Sequence, residues 1–322
     1  MNRPAAGTPL PPYTRFVAPR SGALRRWWFN LFLRMTVKRM LAPGADITEL
    51  RQKQAGLDVR FGIVDPAARR TPVAIGTVAG EWIDMPESRP ERVLLYLHGG
   101  AFIFRFPHTH AAFVARIGRL LGARTLMVDY RLAPEHPYPA APDDCHAAYR
   151  WLLAQGCDPR NIVIAGDSAG GNLTLATLHR IKAAGEPLPA CAVMLSPFVD
   201  FTLSSPSLVG NEKADPMFTL AGIVALRELY APPERFLDAS LSPMFGDFTG
   251  LPPLLLQAGS TEMLRDESAR IAARAHAAGV PVEFEIWDRL PHVFQIFRDL
   301  PQAGEAIDSI VRFVGKHAGW TA

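Results

Sequence analysis

Cysteine is scarce in this chain. Its 322 residues include three, Cys145, Cys157 and Cys191, an odd number in no metal-ligand spacing. That pattern argues against a disulfide framework or a cysteine-built metal site, and it fits a reducing compartment where the thiols are buried and inert. An excess of one charge is missing as well: 34 basic and 31 acidic residues are mixed along the chain, net +3, so no nucleic-acid partner is expected. No run of some 18 apolar residues is present to span a bilayer. The opening stretch MNRPAAGTPLPPYTRFVAPR has no apolar segment of the kind found in secretory leaders. Its prolines suggest a loose or extended arm, and the expected location is the cytoplasm. Repeats and low-complexity tracts are also absent. What the chain does have is 48% hydrophobic residues, enough for a sizeable core in one large α/β domain or two smaller ones.

Residues 24–40 have a helical period. Leu24, Trp28, Leu31, Phe32 and Met35 fall on one face, and Arg26, Asn30, Arg34 and Lys38 on the other. A basic amphipathic helix of this kind can lie on a membrane surface. The expectation is instead that its apolar face packs on the chain's own body, as in most such helices, so membrane contact is not expected.

Short apolar runs at 93–97, 125–128, 162–165, 192–195 and 254–256 read as strands buried on both faces. Helical patterns at 110–121, 141–154, 168–184 and 262–278 alternate with them. This order predicts a mostly parallel, doubly wound sheet. Edge strands are expected within 76–84, and the alternation at 282–286 predicts a late strand with one wet face. Between Leu195 and Pro253 the rhythm fails for more than fifty residues. That stretch contains a helical piece at 219–230 and many prolines, and it is far longer than a crossover needs. An excursion at the carboxyl ends of parallel strands covers the ligand crevice. The reading is therefore an arm and cap helices at 1–50, an α/β core at 51–322, and a cap insertion at about 199–248.

The apolar run 162–165 gives way to a helical pattern at Gly166-Asp167-Ser168-Ala169-Gly170, a G-x-S-x-G sequence. In a sharp strand-to-helix turn the serine backbone is strained and its hydroxyl stands above the sheet. Glycine is needed at both flanks because a side chain there would collide with neighbouring chain. An activated serine also requires a base, an orienting acid and donors for the developing oxyanion. His292, in the loop after the last strand, is the best placed of nine histidines. After the strand at 254–256 come Glu262 and Asp266, one helical turn apart. Glu262 is nearer the strand tip by about 6 Å of helix rise, so it is the expected acid, with Asp266 supporting the loop. The chain order Ser168, Glu262, His292 is the order tied to the elbow. Oxyanion donors are expected from the N–H of Ala169 and from the loop His98-Gly99-Gly100-Ala101 after the strand at 93–97.

Four segments together resemble the hormone-sensitive-lipase-like branch of the α/β-hydrolases, the bacterial group often called family IV esterases. They are His98-Gly99-Gly100-Ala101, the stretch DYRLAPEHPYPAAPDD from Asp129, Gly166-Asp167-Ser168-Ala169-Gly170-Gly171, and the Glu262 and His292 pair. The likeness covers the chain after about Asp46. It implies an α/β-hydrolase fold with a helical cap, Ser168 as nucleophile, His292 as base and Glu262 as acid. The N–H groups of Gly100, Ala101 and Ala169, with Gly99 adjoining, would form the oxyanion hole. It also implies that the DYRLAPEHPYPAAPDD stretch is a structural loop bracing the active-site floor.

Three positions depart from the family pattern. The acid there is most often aspartate, the third glycine of HGGG is here Ala101, and Gly-Ser commonly stands where this chain has Arg105-Phe106. Those two bulky residues are expected to narrow or reshape the substrate pocket. The implied activity is hydrolysis of short- to medium-chain acyl esters through an acyl-enzyme, with no metal or organic cofactor. Its rate should rise with pH as the histidine base loses its proton. The same machinery also suits a lactone, amide or formamide hydrolase, and the fold has been reused as a small-hormone receptor. The retained His292 favours catalysis. A homodimer is left open.

Overall fold

The computed structural model describes residues 10–19, 21–40 and 46–320. The remainder of the expected arm, residues 1–9 and 20, lies outside the described residues, as do 41–45 of the expected cap. In chain order the elements are β1 (Thr14–Val17), α1 (Ala23–Met35), α2 (Val37–Met40), α3 (Ile47–Phe61), β2 (Arg69–Ile75), β3 (Val78–Asp84), β4 (Arg89–Leu97), α4 (Pro107–Leu121) and β5 (Ala123–Asp129). Then follow α5 (Ala140–Ala154), β6 (Ile162–Asp167), α6 (Ala169–Ala183), β7 (Cys191–Leu195), α7 (Ser207–Gly210), α8 (Leu220–Tyr230), β8 (Leu254–Gly259), α9 (Arg265–Ala277), β9 (Val282–Trp287) and α10 (Pro301–Ala318).

The nine strands form one sheet in the order β1-β9-β8-β7-β6-β4-β5-β3-β2. All neighbours run parallel except β3, which is antiparallel to both β5 and β2. The central strands are apolar on both faces, and successive residues alternate between two cores. Leu95, Leu97, Ile164 and Leu256 pack with Leu152, Leu173 and Ile271 of α5, α6 and α9. Leu94, Tyr96, Val163 and Val193 pack with Phe113 of α4 and Ile310 and Phe313 of α10. Each fully buried aliphatic side chain of this kind contributes about 2 kcal/mol by leaving water.

Two strands arise where the residues gave little warning. β1 joins the sheet edge parallel to β9, with Thr14 opposite Phe284 and Val17 opposite Trp287. The arm is therefore extended as expected, but over these residues it is not loose. β2 is mostly exposed and carries Pro72, which an edge strand tolerates because one of its sides pairs with nothing.

The N-terminal helix corrects the reading of its faces. Leu24, Trp27, Trp28, Phe32 and Met35 are exposed, and the side turned to the protein carries Arg26 and Leu33. Arg34 donates to the carbonyls of Lys213 and Ala214, and Lys38 to those of Glu212 and Asp215. The expectation that the apolar stripe packs on the body fails because hydrogen bonds from the polar stripe to main-chain oxygens fix the helix instead.

The next helix, α3, is crossed by the expected 50/51 boundary. Its inward side is largely polar, with Leu50 in the core. Arg51 bonds Ile103 O, Ala133 O and Glu135, Gln54 bonds Arg105 O, and the Asp58 carboxylate takes the N–H groups of His108 and Thr109. The segment 99–109 after β4 is thereby held from one side by α3. From the other side the DYRLAPEHPYPAAPDD loop supports it: Ala133 N–H donates to Phe102 O, and Tyr130 Oη to His98 O. Arg131 makes a bidentate ion pair with buried Asp144 inside that loop. His136 there is exposed, so this segment is a brace.

Candidate active site

Ser168 sits between β6 and α6 with φ 54° and ψ −118°, a backbone state that non-glycine residues seldom adopt. The turn can close this tightly only with glycines beside it. A Cβ at Gly166 would overlap the carbonyl oxygen of Gly170, and one at Gly170 would overlap that of Leu97. The helix expected from Ser168 starts one residue later, at Ala169, leaving the serine at the helix N-terminus. Its N–H donates to Leu195 O at 2.8 Å, and its carbonyl accepts from Phe198 N–H at 3.1 Å. The elbow is thus tied to the end of β7.

The other groups converge on the same end of the sheet. Glu262 and His292 are brought together, with His292 Nδ1 2.8 Å from Glu262 Oε2 and both side chains buried. The second Glu262 oxygen accepts from Ser196 Oγ at 3.0 Å and from the Gly259 N–H. Ser196 also accepts from the Val293 N–H at 3.1 Å, so one hydroxyl ties the acid to the histidine loop. The remaining ring nitrogen, His292 Nε2, is buried without a hydrogen-bond partner. Phe218 stands edge-on to the imidazole, ring centres 4.9 Å apart.

Glu262 lies in the turn after β8 rather than on a helix, since α9 starts at Arg265. Only Ser260 and Thr261 separate it from the strand, which is why it can reach His292. Asp266 is the second residue of α9 and accepts from Ser207 N–H at 3.0 Å, the loop-supporting place expected for it. The insertion is interlocked with this turn. Asp215 accepts from Met263 N–H, and Asn211 donates to Ser260 O and Glu262 O. Glu267, its carboxyl pushed well up by burial, takes the N–H groups of Val199 and Asp200.

Beside the elbow, the loop after β4 runs through positive φ at Gly100 (129°), Ala101 (53°) and Phe102 (63°). No hydrogen bond among the described residues uses the N–H of Gly100, Ala101 or Ala169. Ala169 opens α6, so its N–H also carries the positive end of the helix dipole. Gly99 must be set apart from the other expected oxyanion donors. Its N–H donates to Asp167 Oδ1 at 2.9 Å and is not free for a ligand. Glycine is required there because a Cβ would overlap the Asp167 carboxylate.

Asp167 therefore joins the elbow to the loop after β4. It also accepts from Tyr96 Oη at 2.7 Å and lies 3.2 Å from His110 Nε2. Burial drives its carboxyl up, but His110, Tyr96 and the Gly99 N–H outweigh that and hold it below the usual range. Next to it His98 is stacked on Tyr130, ring centres 4.2 Å apart, and burial with His110 nearby pushes its imidazole down to about 3. Asp167 and Ser196 were not singled out by the sequence. The only signal for either is position, one at the last residue of β6 and the other at the first residue after β7.

Arg105 and Phe106 reach toward β5 and α4. Arg105 pairs with Asp129 at 2.5 Å, and the Phe106 ring lies 6.0 Å from that of His110. Between the loop after β4 and the 199–248 insertion the packing is aromatic: Phe102 stacks on Tyr230 at 3.9 Å, and Phe201 lies 4.8 Å from Phe198. A separate cavity of about 320 Å³, lined by Asp84, Met85, Ser88 and Arg124, is at the opposite end of the parallel strands.

A nine-stranded, mostly parallel sheet with a strained serine elbow and a late histidine defines an α/β-hydrolase. The sequence profile of the alpha/beta hydrolase fold family matches residues 94–296. The chain belongs to that family, in its hormone-sensitive-lipase-like branch. It is 38% identical over 248 residues to an acetyl-hydrolase of Streptomyces hygroscopicus, covering 77% of this chain and 83% of that one. An esterase of Acinetobacter venetianus is 37% identical over 251 residues, 77% of this chain and 82% of its own. Among solved structures, an esterase of the bacterial hormone-sensitive lipase family superposes with a TM-score of 0.86 at 37% identity, covering 93% of this chain and 99% of that chain.

Proposed function

We propose that the protein is a serine carboxylesterase acting on short- to medium-chain acyl esters through an acyl-enzyme. Ser168 Oγ attacks the ester carbonyl carbon while His292 Nε2 accepts its proton. Glu262, on Nδ1, fixes the tautomer and stabilises the imidazolium. The developing oxyanion is received by the N–H groups of Gly100, Ala101 and Ala169, each contributing roughly 3 kcal/mol to the barrier reduction. The imidazolium returns its proton to the departing alkoxide. Water, deprotonated by the same nitrogen, then attacks the acyl carbon and frees Ser168.

The observation that carries this reading is the buried 2.8 Å contact between Glu262 and His292, which leaves Nε2 as the one free ring nitrogen. Preference for short acyl chains is supported by the aromatic wall of Phe102, Phe198, Phe201 and Tyr230 beside the elbow. The test is initial rates on p-nitrophenyl acetate, butyrate, octanoate and laurate for wild type and Ser168→Ala. The expected result is preference for the short esters and a fall to background, roughly a million-fold, in the variant. A folded wild type no faster than the variant on any ester would overturn the proposal, and the same pair on lactones and formanilides then tests those substrates.

A further inference from the structure

Helix α1 is built inside out. Its polar residues face the protein, where Arg26, Asn30 and Arg34 donate to the carbonyls of Ser21, Arg289, Lys213 and Ala214. Outward it shows Leu24, Trp27, Trp28, Phe32 and Met35, between 47% (Phe32) and 70% (Leu24) exposed. Leu24, Trp28, Phe32 and Met35 are spaced three or four apart and Trp27 flanks them, so they form one apolar stripe about 17 Å long. Nothing among the described residues covers it. A stripe of five large apolar side chains, two of them tryptophans, is more than the scattered single exposures of an ordinary surface.

Charge decides what fits the stripe. Residues 21–45 contain Arg25, Arg26, Arg34, Lys38 and Arg39 and no Asp or Glu, in a chain that is otherwise nearly balanced. A two-fold contact with a second copy through this stripe would bring the same cations face to face. A surface of anionic headgroups has the opposite sign, and tryptophan settles at the boundary between headgroup and acyl chain. No helix of the described residues is long and apolar enough to cross a membrane, so the stripe can only lie along one. We propose that α1 docks the protein on anionic lipid surfaces, with Trp27 and Trp28 entering the interface and the exposed Arg39 meeting headgroups, while Arg25 donates to Asp299 O at 2.8 Å. The contact is joined to the candidate site. The stretch that Arg34 and Lys38 hold, residues 212–215, leads directly into Phe218 against His292.

The docking does not rest on the esterase reading, because binding is measured on full-length Ser168→Ala, which leaves the lipids intact. Sedimentation with vesicles of phosphatidylcholine alone, and of phosphatidylcholine with phosphatidylglycerol, is run at low and high salt. Capture is expected on the anionic vesicles and should weaken with salt. Trp27→Ser with Trp28→Ser should lower it by about tenfold or more. Arg39→Gln should cost about fivefold, on the anionic vesicles alone. In the Ser168 background the tryptophan pair should leave the rate on soluble p-nitrophenyl acetate unchanged. Absence of capture at low salt on either vesicle overturns the proposal, as does capture indifferent to loss of both tryptophans. A dimer by light scattering that the tryptophan substitutions dissociate overturns it too, and assigns the stripe to a second copy.

Discussion

Glu262→Gln keeps the shape of the site and tests its electrostatics. In the wild type, one carboxylate oxygen accepts from Ser196 Oγ and Gly259 N–H while the other faces His292 Nδ1 at 2.8 Å. A glutamine has one oxygen for these two places. If its amino group turned toward Gly259, two N–H donors would meet in a fully buried site, at a cost of about 1–3 kcal/mol. The oxygen therefore stays with Gly259 and Ser196, and the amino group faces Nδ1. That ring nitrogen must then accept, which moves the imidazole proton to Nε2, where the serine proton has to arrive. The base is blocked by tautomer while the geometry is kept, and kcat should fall about 10³- to 10⁴-fold with little change in KM. The assay is steady-state hydrolysis of p-nitrophenyl butyrate beside a thermal melt, so that lost activity is separated from lost fold. Asp266→Asn is the control. Its carboxylate holds Ser207 N–H and Arg265, and its loss should lower the melting temperature while leaving kcat within about threefold. If Glu262→Gln stays within about tenfold of wild type and Asp266→Asn does not, the acid has been misassigned.

Other expectations follow from groups around the site. His98, pushed down to about 3, stays neutral in the fold, whereas its unfolded imidazole binds a proton below about 6.5. Its folded value is the lower one, so stability is lost as pH falls from about 6.5 toward 3, by about 2 kcal/mol at pH 5. In urea unfolding at pH 7 and pH 5, His98→Gln should remove most of that difference, and an unchanged pH dependence would show that His98 does not cause it. Asp167→Asn keeps an acceptor for Tyr96 and Gly99 but loses the charge beside His110. It should destabilise by about 2 kcal/mol and lower kcat through a looser oxyanion loop; full activity in the folded variant would separate Asp167 from that loop. Phe198→Ala removes one ring of the aromatic wall and should shift preference from acetate toward octanoate by about tenfold; an unaltered chain-length profile would place the acyl group elsewhere.

The parts of the fold legible in the sequence are those where one physical demand dominates. Strands buried on both faces must be apolar, so β4 to β8 could be read directly. The elbow could be read because only glycine fits beside Gly170 O and Leu97 O. Edge strands were harder, since β1 and β2 satisfy half of their backbone bonds with solvent and need no apolar signature. The N-terminal helices misled because their inward faces are largely polar, and amphipathic periodicity locates a helix without saying which face turns inward. Ser196 and Asp167 escaped because each joins one main-chain N–H to side chains far away in the sequence, which no spacing rule marks.

These polar contacts have a common logic. Main-chain oxygens exposed by irregular loops need donors, and long cationic side chains can supply them while leaving the helix's other side unused. Asp215 is where the consequences meet. Its carbonyl takes Lys38 Nζ, its Oδ1 takes the N–H groups of Met217 and Phe218, and its Oδ2 takes that of Met263. One residue therefore sets three things: the seat of the N-terminal helices, the ring that stands against His292, and the turn that carries Glu262. The buried carboxylate is fully committed to N–H donors, so a shift of the 212–218 segment costs hydrogen bonds on the Glu262 side as well. The 212–218 segment and the candidate acid are thereby energetically one unit, although 47 positions separate Asp215 from Glu262 in the sequence.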